Sequence, residues 1–281
     1  MTVFPFIIHL GPFEVTGYGL MLMVAFLMGG WLIARQLRET NLREDYAADM
    51  VAAAVIGGIV GAKLWYVALT GDPGALLSRG GLVWYGGFIG GAAAVLLNGW
   101  RLKVPVRWTM QLAAPALAAA YALGRVGCFL VNDDYGRPTD LPWGMRFPEG
   151  LPPSTAGNLH QLFGVPIPAG IDPATVLAVH PTQLYEVAIM LVAFAILWSL
   201  RKGGYPIGWL FGLYLIFAGV ERFLVEFVRA KDDRFLGSFT LAQLTSVIIV
   251  AIGAYLLTAW RRRLDPAPGL YLETGKKRSV S

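Results

Sequence analysis

Only one cysteine, Cys128, and three histidines occur in the 281 residues, and charged side chains make up just 15% of the chain. A lone cysteine excludes an internal disulfide, and with no CxxC pair the sequence offers no thiolate zinc site. So little charge, beside 56% hydrophobic residues and a mean hydropathy of +0.57, excludes an ordinary soluble domain. The net charge of +5 does not signal nucleic acid, because Lys and Arg fall in short clusters between apolar runs. The opening residues MTVFPFIIHLGPFEV lack a basic n-region and a small-residue cleavage site, so the first apolar run is expected to do the targeting. No internal repeat is visible.

Apolar blocks of spanning length are what the chain has in abundance. Seven runs, roughly 17–36, 47–69, 83–100, 108–131, 181–200, 205–228 and 238–260, approach the ~20 residues that cross a bilayer core. The expected class is an all-α polytopic membrane protein of about seven transmembrane helices. Residues 1–131 hold the first four, 132–180 a small head segment, 181–260 the last three and 261–281 a basic cytoplasmic tail. From Pro266 onward that tail is expected to be flexible and surface-bound. Fourteen Lys and Arg residues fall in the first, third and fifth connections and the tail, against six (Arg79, Arg137, Arg146, Arg229, Lys231, Arg234) on the other side. The positive-inside rule therefore puts the N-terminus outside and the C-terminus in the cytoplasm. Segment 132–180 then lies outside, is far longer than an ordinary loop, and carries Trp143, Phe147 and Phe163 as a prospective small core. The glycine pairs in GGIVGAK and YGGFIGG predict close helix packing.

Charges inside the apolar runs are costly and need partners or a purpose. Lys63 lies roughly 24 Å along the second run, and Arg125 and Arg222 each about 25 Å along the fourth and sixth, at 1.5 Å of rise per residue. All three reach the outer part of the membrane. The first, third and fifth runs begin there with Tyr18, with Trp84 and Tyr85, and with His180, Gln183, Tyr185 and Glu186. Arg222, Glu226 and Arg229, spaced by four and three, share one helix face. Arg229 reads as a snorkelling residue at the helix end, and Cys128 as a packing residue. Two arginines converging at one depth suit an anionic phosphate, because guanidinium forks bind phosphate in two places and stay charged.

At these residues the chain resembles the prolipoprotein diacylglyceryl transferases, bacterial plasma-membrane enzymes of seven transmembrane helices. The resemblance rests on TGYGLMLM, VWYGGFIGG, GRVGCFLVNDDYGRP, HPTQLYE and ERFLVEFVRAKDD, in that order. It implies transfer of the diacylglyceryl group of phosphatidylglycerol to the thiol of a lipobox cysteine in a prolipoprotein signal peptide, with release of glycerol phosphate. It also implies a periplasmic head and N-terminus, and no cofactor. Carried over by position, Arg125 and Arg222 bind and activate the headgroup and Glu226 orients Arg222, while Tyr18, Gly136 and Arg137 match family site positions. Cys128 stands where the signature has Asn, Val131 where a second Asn is common, Asp133 where Glu is usual, and Tyr85 where well-known members have His.

The implied chemistry requires a substrate thiol to lose its proton, from an ordinary pKa near 8.5, while the departing phosphate is stabilised. Fixed arginines in a dry site supply the second need. Tyr85, Asp133 and His180 are the candidate bases, and Lys63, His180 and Gln183 the further candidate lipid contacts. Two other readings compete. A metal-dependent lipid transferase would use NDD and KDD, but DDRFL lacks the later Asp of the prenyl-diphosphate pattern and no CDP-alcohol phosphotransferase motif appears. A small-anion or lipid transporter would use the arginines as its substrate site, yet the charges gather at one depth and no inverted repeat is present.

Overall fold

The structure, a computed structural model, describes residues 1–11, 13–77, 81–230, 234–236 and 239–273. Arg79, Lys231, Lys276, Lys277 and Arg278, counted for orientation, and the KDD run at 231–233 lie outside the described residues. A short antiparallel hairpin, β1 (Ile7–Leu10) and β2 (Phe13–Thr16), leads into α1 (Gly17–Glu39). There follow α2 (Asp45–Thr70), α3 (Trp84–Arg101), α4 (Val106–Leu130), the short α5 (Ala156–Gln161), α6 (Thr182–Leu200) and α7 (Trp209–Val225). A second small hairpin, β3 (Arg234–Leu236) and β4 (Phe239–Thr240), precedes α8 (Leu241–Arg261), and α9 (Leu270–Glu273) closes the described chain. Each apolar run thus forms one long helix, and the two hairpins are additions that the all-α expectation did not contain.

Local chemistry sets the helix ends. Thr16 caps α1, its hydroxyl accepting from Gly19 N at 3.2 Å, and Thr240 and Gln243 form a reciprocal capping box at α8. The sixth run starts late as a helix because Pro206 and the left-handed Gly208, with φ of 92°, hold off helical geometry until Trp209. Helices α1, α2, α4, α6 and α8 are long and apolar enough to cross a membrane. α3 and α7 are shorter, with 18 and 17 residues. The most apolar stretches are largely unburied, down to 11% burial in α2, so the helices turn apolar surface outward as a bilayer-embedded bundle does.

Packing follows side-chain size. Ala114, Ala118 and Ala122, spaced by four along α4, are fully buried against Met190, Ala193, Leu197 and Leu210 of α6 and α7. This smooth stripe lets α4 pack on both, while its other flank packs on α1. α2 pairs mainly with α3, where a Cβ added at Gly90 would lie 2.7 Å from the Gly61 Cα. The glycine pairs therefore serve helix approach, as expected of them.

Segment 132–180 forms a packed unit around Tyr135, Phe147, Leu159, Val165 and Val179, joined by Ala230 and Phe163. Phe147 is fully buried and stacks on Tyr135 at 5.5 Å, whereas Trp143 is 53% exposed and donates to the Tyr185 hydroxyl. Val3 N bonds Arg146 O, and Asn132 Nδ2 donates to Val3 O, so the N-terminal residues belong to this unit. At the far end of the bundle the tail departs from expectation. Residues 266–273 fold back: Trp108 Nε1 donates to Pro266 O, Arg43 N bonds Leu272 O, and Leu272 is fully buried among Leu37, Leu42, Tyr46 and Val104. Tyr271 adds to this docking, edge-on against Tyr46 and under the Arg43 guanidinium. Leu272→Ala is expected to cost about 2–5 kcal/mol, as buried leucine truncations do. Thermal denaturation in detergent measures this, and an unchanged midpoint would remove Leu272 from the core.

Candidate active site

The site is assembled from α4, the loop 131–137, the start of α6 and the end of α7. Arg125, five residues before the end of α4, has a side chain only 12% exposed. Its Nη1 donates to Asp134 Oδ2 at 2.8 Å and to Cys128 Sγ at 3.4 Å. Its Nε lies against Glu186 Oε2 of α6 in a direct ion pair. Arg222 on α7 places Nη2 2.6 Å from Glu226 Oε2, one turn on, where the helix has just ended. Arg229 places Nη2 3.1 Å from Asp134 Oδ1 and Nε 3.9 Å from Glu226 Oε2. The result is one alternating line of charges: Glu186, Arg125, Asp134, Arg229, Glu226, Arg222. Three carboxylates face three guanidinium groups.

Backbone geometry fixes that line. Asn132 and Asp134 adopt left-handed φ values of 59° and 61°, which Asn and Asp tolerate best among residues with a Cβ. Asn132 is fully buried. Gln183 Nε2 donates to Asp133 O at 2.5 Å, and the Thr182 hydroxyl donates to Asp134 O at 2.7 Å, tying the loop to α6. Gly136 N bonds His180 O, Arg137 N bonds Val228 O, and Arg137 Nε donates to Arg229 O, all at 2.8 Å. A Cβ on Gly136 would run into the Val228 carbonyl and come within 2.8 Å of His180 and Thr182. Only glycine lets the three segments close here.

Burial pushes the Asp134 carboxyl up, but Arg229 and then Arg125 outweigh it and hold it below the ordinary carboxylate range. It is an anion at neutral pH. Burial, followed by the Asp134 charge, pushes Asp133 the other way. Burial lowers His180, so its ring is neutral near pH 7; its Nδ1 lies 3.2 Å from the Tyr185 hydroxyl. Asp133 therefore takes a proton more readily than an ordinary aspartate.

The structure joins Arg125, Glu226, Asp133, Gly136, Arg137, His180 and Gln183 in one neighbourhood, with Arg222 at the end of the charge line. Arg222 lies within electrostatic reach of Asp134 and Glu186, the two partners of Arg125. Tyr18 of α1 packs against Gly127 and feels the charges of Arg125, Asp133 and Asp134. Tyr85 is 63% exposed, packs edge-on against Trp84, and among the described residues makes no side-chain contact with either arginine. Lys63 is half-buried on α2, which packs on α3 and α1 rather than on the helices carrying the arginines.

Three members of the line are visible in the sequence but are not assigned to the site there. Arg229 does not snorkel: α7 stops at Val225, the chain turns, and the side chain points inward with 16% exposure. Its spacing of three from Glu226 was the available signal. Glu186, 1% exposed, is three residues beyond Gln183 on the same face of α6, and Asp134 was visible only as one of two adjacent aspartates. Glu221, also 1% exposed and 3.4 Å from the Tyr121 hydroxyl, gave no signal beyond being a charge in an apolar run.

The line leaves chemistry unspent. Arg125 Nη2 is buried without an acceptor among the described residues, and Arg222, 29% exposed, commits Nη2 alone to Glu226. Buried N–H donors rarely go unpaired, so an oxyanion from outside the chain is the natural partner.

Comparison with known proteins agrees with this chemistry. A family model described as Prolipoprotein diacylglyceryl transferase matches residues 5–259. The phosphatidylglycerol–prolipoprotein diacylglyceryl transferase of Clostridium tetani is 32% identical over 266 residues, covering 92% of this chain and 98% of that one. The proteins of the same name from Cupriavidus metallidurans and Nitrosomonas europaea are 35% and 33% identical over 282 residues. They cover 92% and 94% of this chain, and 94% and 92% of their own lengths. With a match across nearly its whole length and relatives of this similarity, the chain belongs to the prolipoprotein diacylglyceryl transferase family.

Proposed function

We propose that this protein transfers the diacylglyceryl group of phosphatidylglycerol to the thiol of the lipobox cysteine of a prolipoprotein, the first step of lipoprotein maturation in the bacterial plasma membrane. The observation that carries the reading is the meeting of Arg125 and Arg222 in one ion-pair line, each with donors left over for a phosphate. The substrate sulfur forms a bond to the glyceryl carbon that bears the phosphate, and the C–O bond breaks with its electron pair going to the phosphate. Products are a thioether and glycerol phosphate. Arg125 and Arg222 hold the phosphate and stabilise the charge it gains, which a low-dielectric site makes worth more than in water. Glu226 orients Arg222, while Gly136, Arg137, Gln183 and His180 hold the loop against α6 and α7. Tyr18, beside Gly127, borders the headgroup, and Lys63 adds positive charge at the outer leaflet.

In this reading all seven long helices cross the membrane. The N-terminus and the 132–180 head face the periplasm, and residues 261–281 the cytoplasm. The excess of Lys and Arg on the opposite side supports this orientation. The family match gives no support to a small-anion or lipid transporter.

Asp133 is the base that the site favours for the thiol proton. Its carboxyl is pushed up by burial and by Asp134, and it stands in the loop that holds Arg125. Tyr85 is exposed and packs edge-on against Trp84. Tyr85→Phe is accordingly expected to keep kcat within about threefold, since general base catalysis is worth far more, about 10²–10⁴-fold. A loss of a hundredfold would return the phenol to the mechanism.

The test of the function is incubation of the purified protein with phosphatidylglycerol and a lipobox peptide, followed by mass analysis of the peptide. A diacylglyceryl adduct is expected. Its absence where a control enzyme of the family succeeds would refute the reading, and anion uptake into proteoliposomes without lipid consumption would favour transport instead.

A further inference from the structure

We propose that Asp134 is a positioning residue that sets the separation and aim of the two guanidinium groups holding the phosphate; this rests on the proposed transfer reaction. Asp134 is the only acid in the line that touches two different arms of the site. Oδ2 holds Arg125 at 2.8 Å, from α4, and Oδ1 holds Arg229 at 3.1 Å, from the segment after α7. Arg229 in turn reaches Glu226, which holds Arg222. Beside the bonds that Arg137 makes to Val228 O and Arg229 O, the side-chain link between Arg125 and Arg222 therefore runs through one carboxylate.

The backbone of Asp134 is held for this task. Its N–H donates to Asp133 Oδ1 at 2.7 Å, its carbonyl accepts from Thr182, and its backbone holds a left-handed φ of 61°. Nη1 is hydrogen-bonded to Asp134 and Nε lies in ion-pair contact with Glu186, so the Arg125 guanidinium is held on two sides, and Nη2 has no acceptor among the described residues. A guanidinium is useful as a fork only when its plane is fixed. Fixing it has an electrostatic cost, because each carboxylate lowers the positive potential that the phosphate meets. Asp134 thus trades affinity for alignment, and alignment is what lowers the barrier.

That trade gives a kinetic signature. Asp134→Asn keeps the shape and one acceptor oxygen but removes the charge that bridges two cations. The expected result in the adduct assay is a kcat at least about tenfold lower, with a KM for phosphatidylglycerol equal to or below the wild-type value. A purely structural defect would not leave lipid binding intact or tighter. A kcat within threefold of wild type, or a raised KM, would overturn the proposal. Should Asp134→Asn fail to fold, Asp134→Glu keeps the charge but moves the carboxylate by one methylene, and the same split of kcat from KM is required of it. Wild-type protein in the same assay separates the two ideas. No adduct from wild type defeats the transferase reading, whereas an active wild type with an unaffected variant defeats only the role of Asp134.

Discussion

Arg222→Ala and Arg125→Ala are each expected to lower kcat for diacylglyceryl transfer by at least about a hundredfold to a thousandfold, the loss usual when one preorganised donor to a developing oxyanion is removed. The two variants should differ in stability. Removing Arg222 takes from Glu226 its partner at 2.6 Å but leaves it Arg229 at 3.9 Å, whereas removing Arg125 leaves Glu186 with no ion-pair partner among the described residues. Removing Arg125 leaves Glu186 and Asp134 facing one another across a buried gap with one bridging cation fewer. Breaking such a pair from one side costs about 3–5 kcal/mol, and Arg125→Ala should denature at a clearly lower temperature than Arg222→Ala in the same detergent. Arg125→Lys is the informative companion: it restores the charge without the fork, so it should recover stability while turnover stays low. Wild-type-like turnover in both alanine variants would remove the arginines from the mechanism.

The second large effect is expected at a residue with no side chain. Gly136→Val should cost about 3 kcal/mol or more, in the range where backbone collisions place single substitutions, and turnover should fall with it. The added atoms have nowhere to go, since the Val228 carbonyl, His180 and Thr182 already occupy the space. Moving them apart breaks the bonds from Gly136 N to His180 O and from Arg137 N to Val228 O. Those bonds hold the arginine-bearing turn after α7 to the loop bearing Asp134. Circular dichroism melting together with the adduct assay measures both consequences. A stable and active Gly136→Val would mean the close approach of the three segments is dispensable.

Much of the architecture was legible in the amino-acid order because a bilayer leaves few choices. Every backbone polar group in hydrocarbon must be bonded within its own helix, so a run of about 20 apolar residues reports a helix almost directly. The seven runs became seven helices with ends shifted by a few residues, and the glycines of GGIVGAK and YGGFIGG met across α2 and α3. The site was partly legible for the same reason. Arg125, Arg222 and Glu226 are too costly in an apolar run to be incidental, and Arg222 and Glu226 form the pair that their spacing of four implied.

What the sequence determined by itself was therefore the helical body, the family motifs and the presence of unavoidable charges near one depth. Tertiary structure alone decided how those charges pair. Asp134 meets Arg229 across 95 positions of chain, and Glu186 meets Arg125 across the α4–α6 contact. Neither spacing nor periodicity carries such information. The same holds for Arg229, turned inward by the end of α7 at Val225, and for Leu272, whose docking depends on a slot formed by α1, α2 and α4. A helix face is set by local geometry over a few residues, whereas an ion pair between elements is set by how whole helices pack.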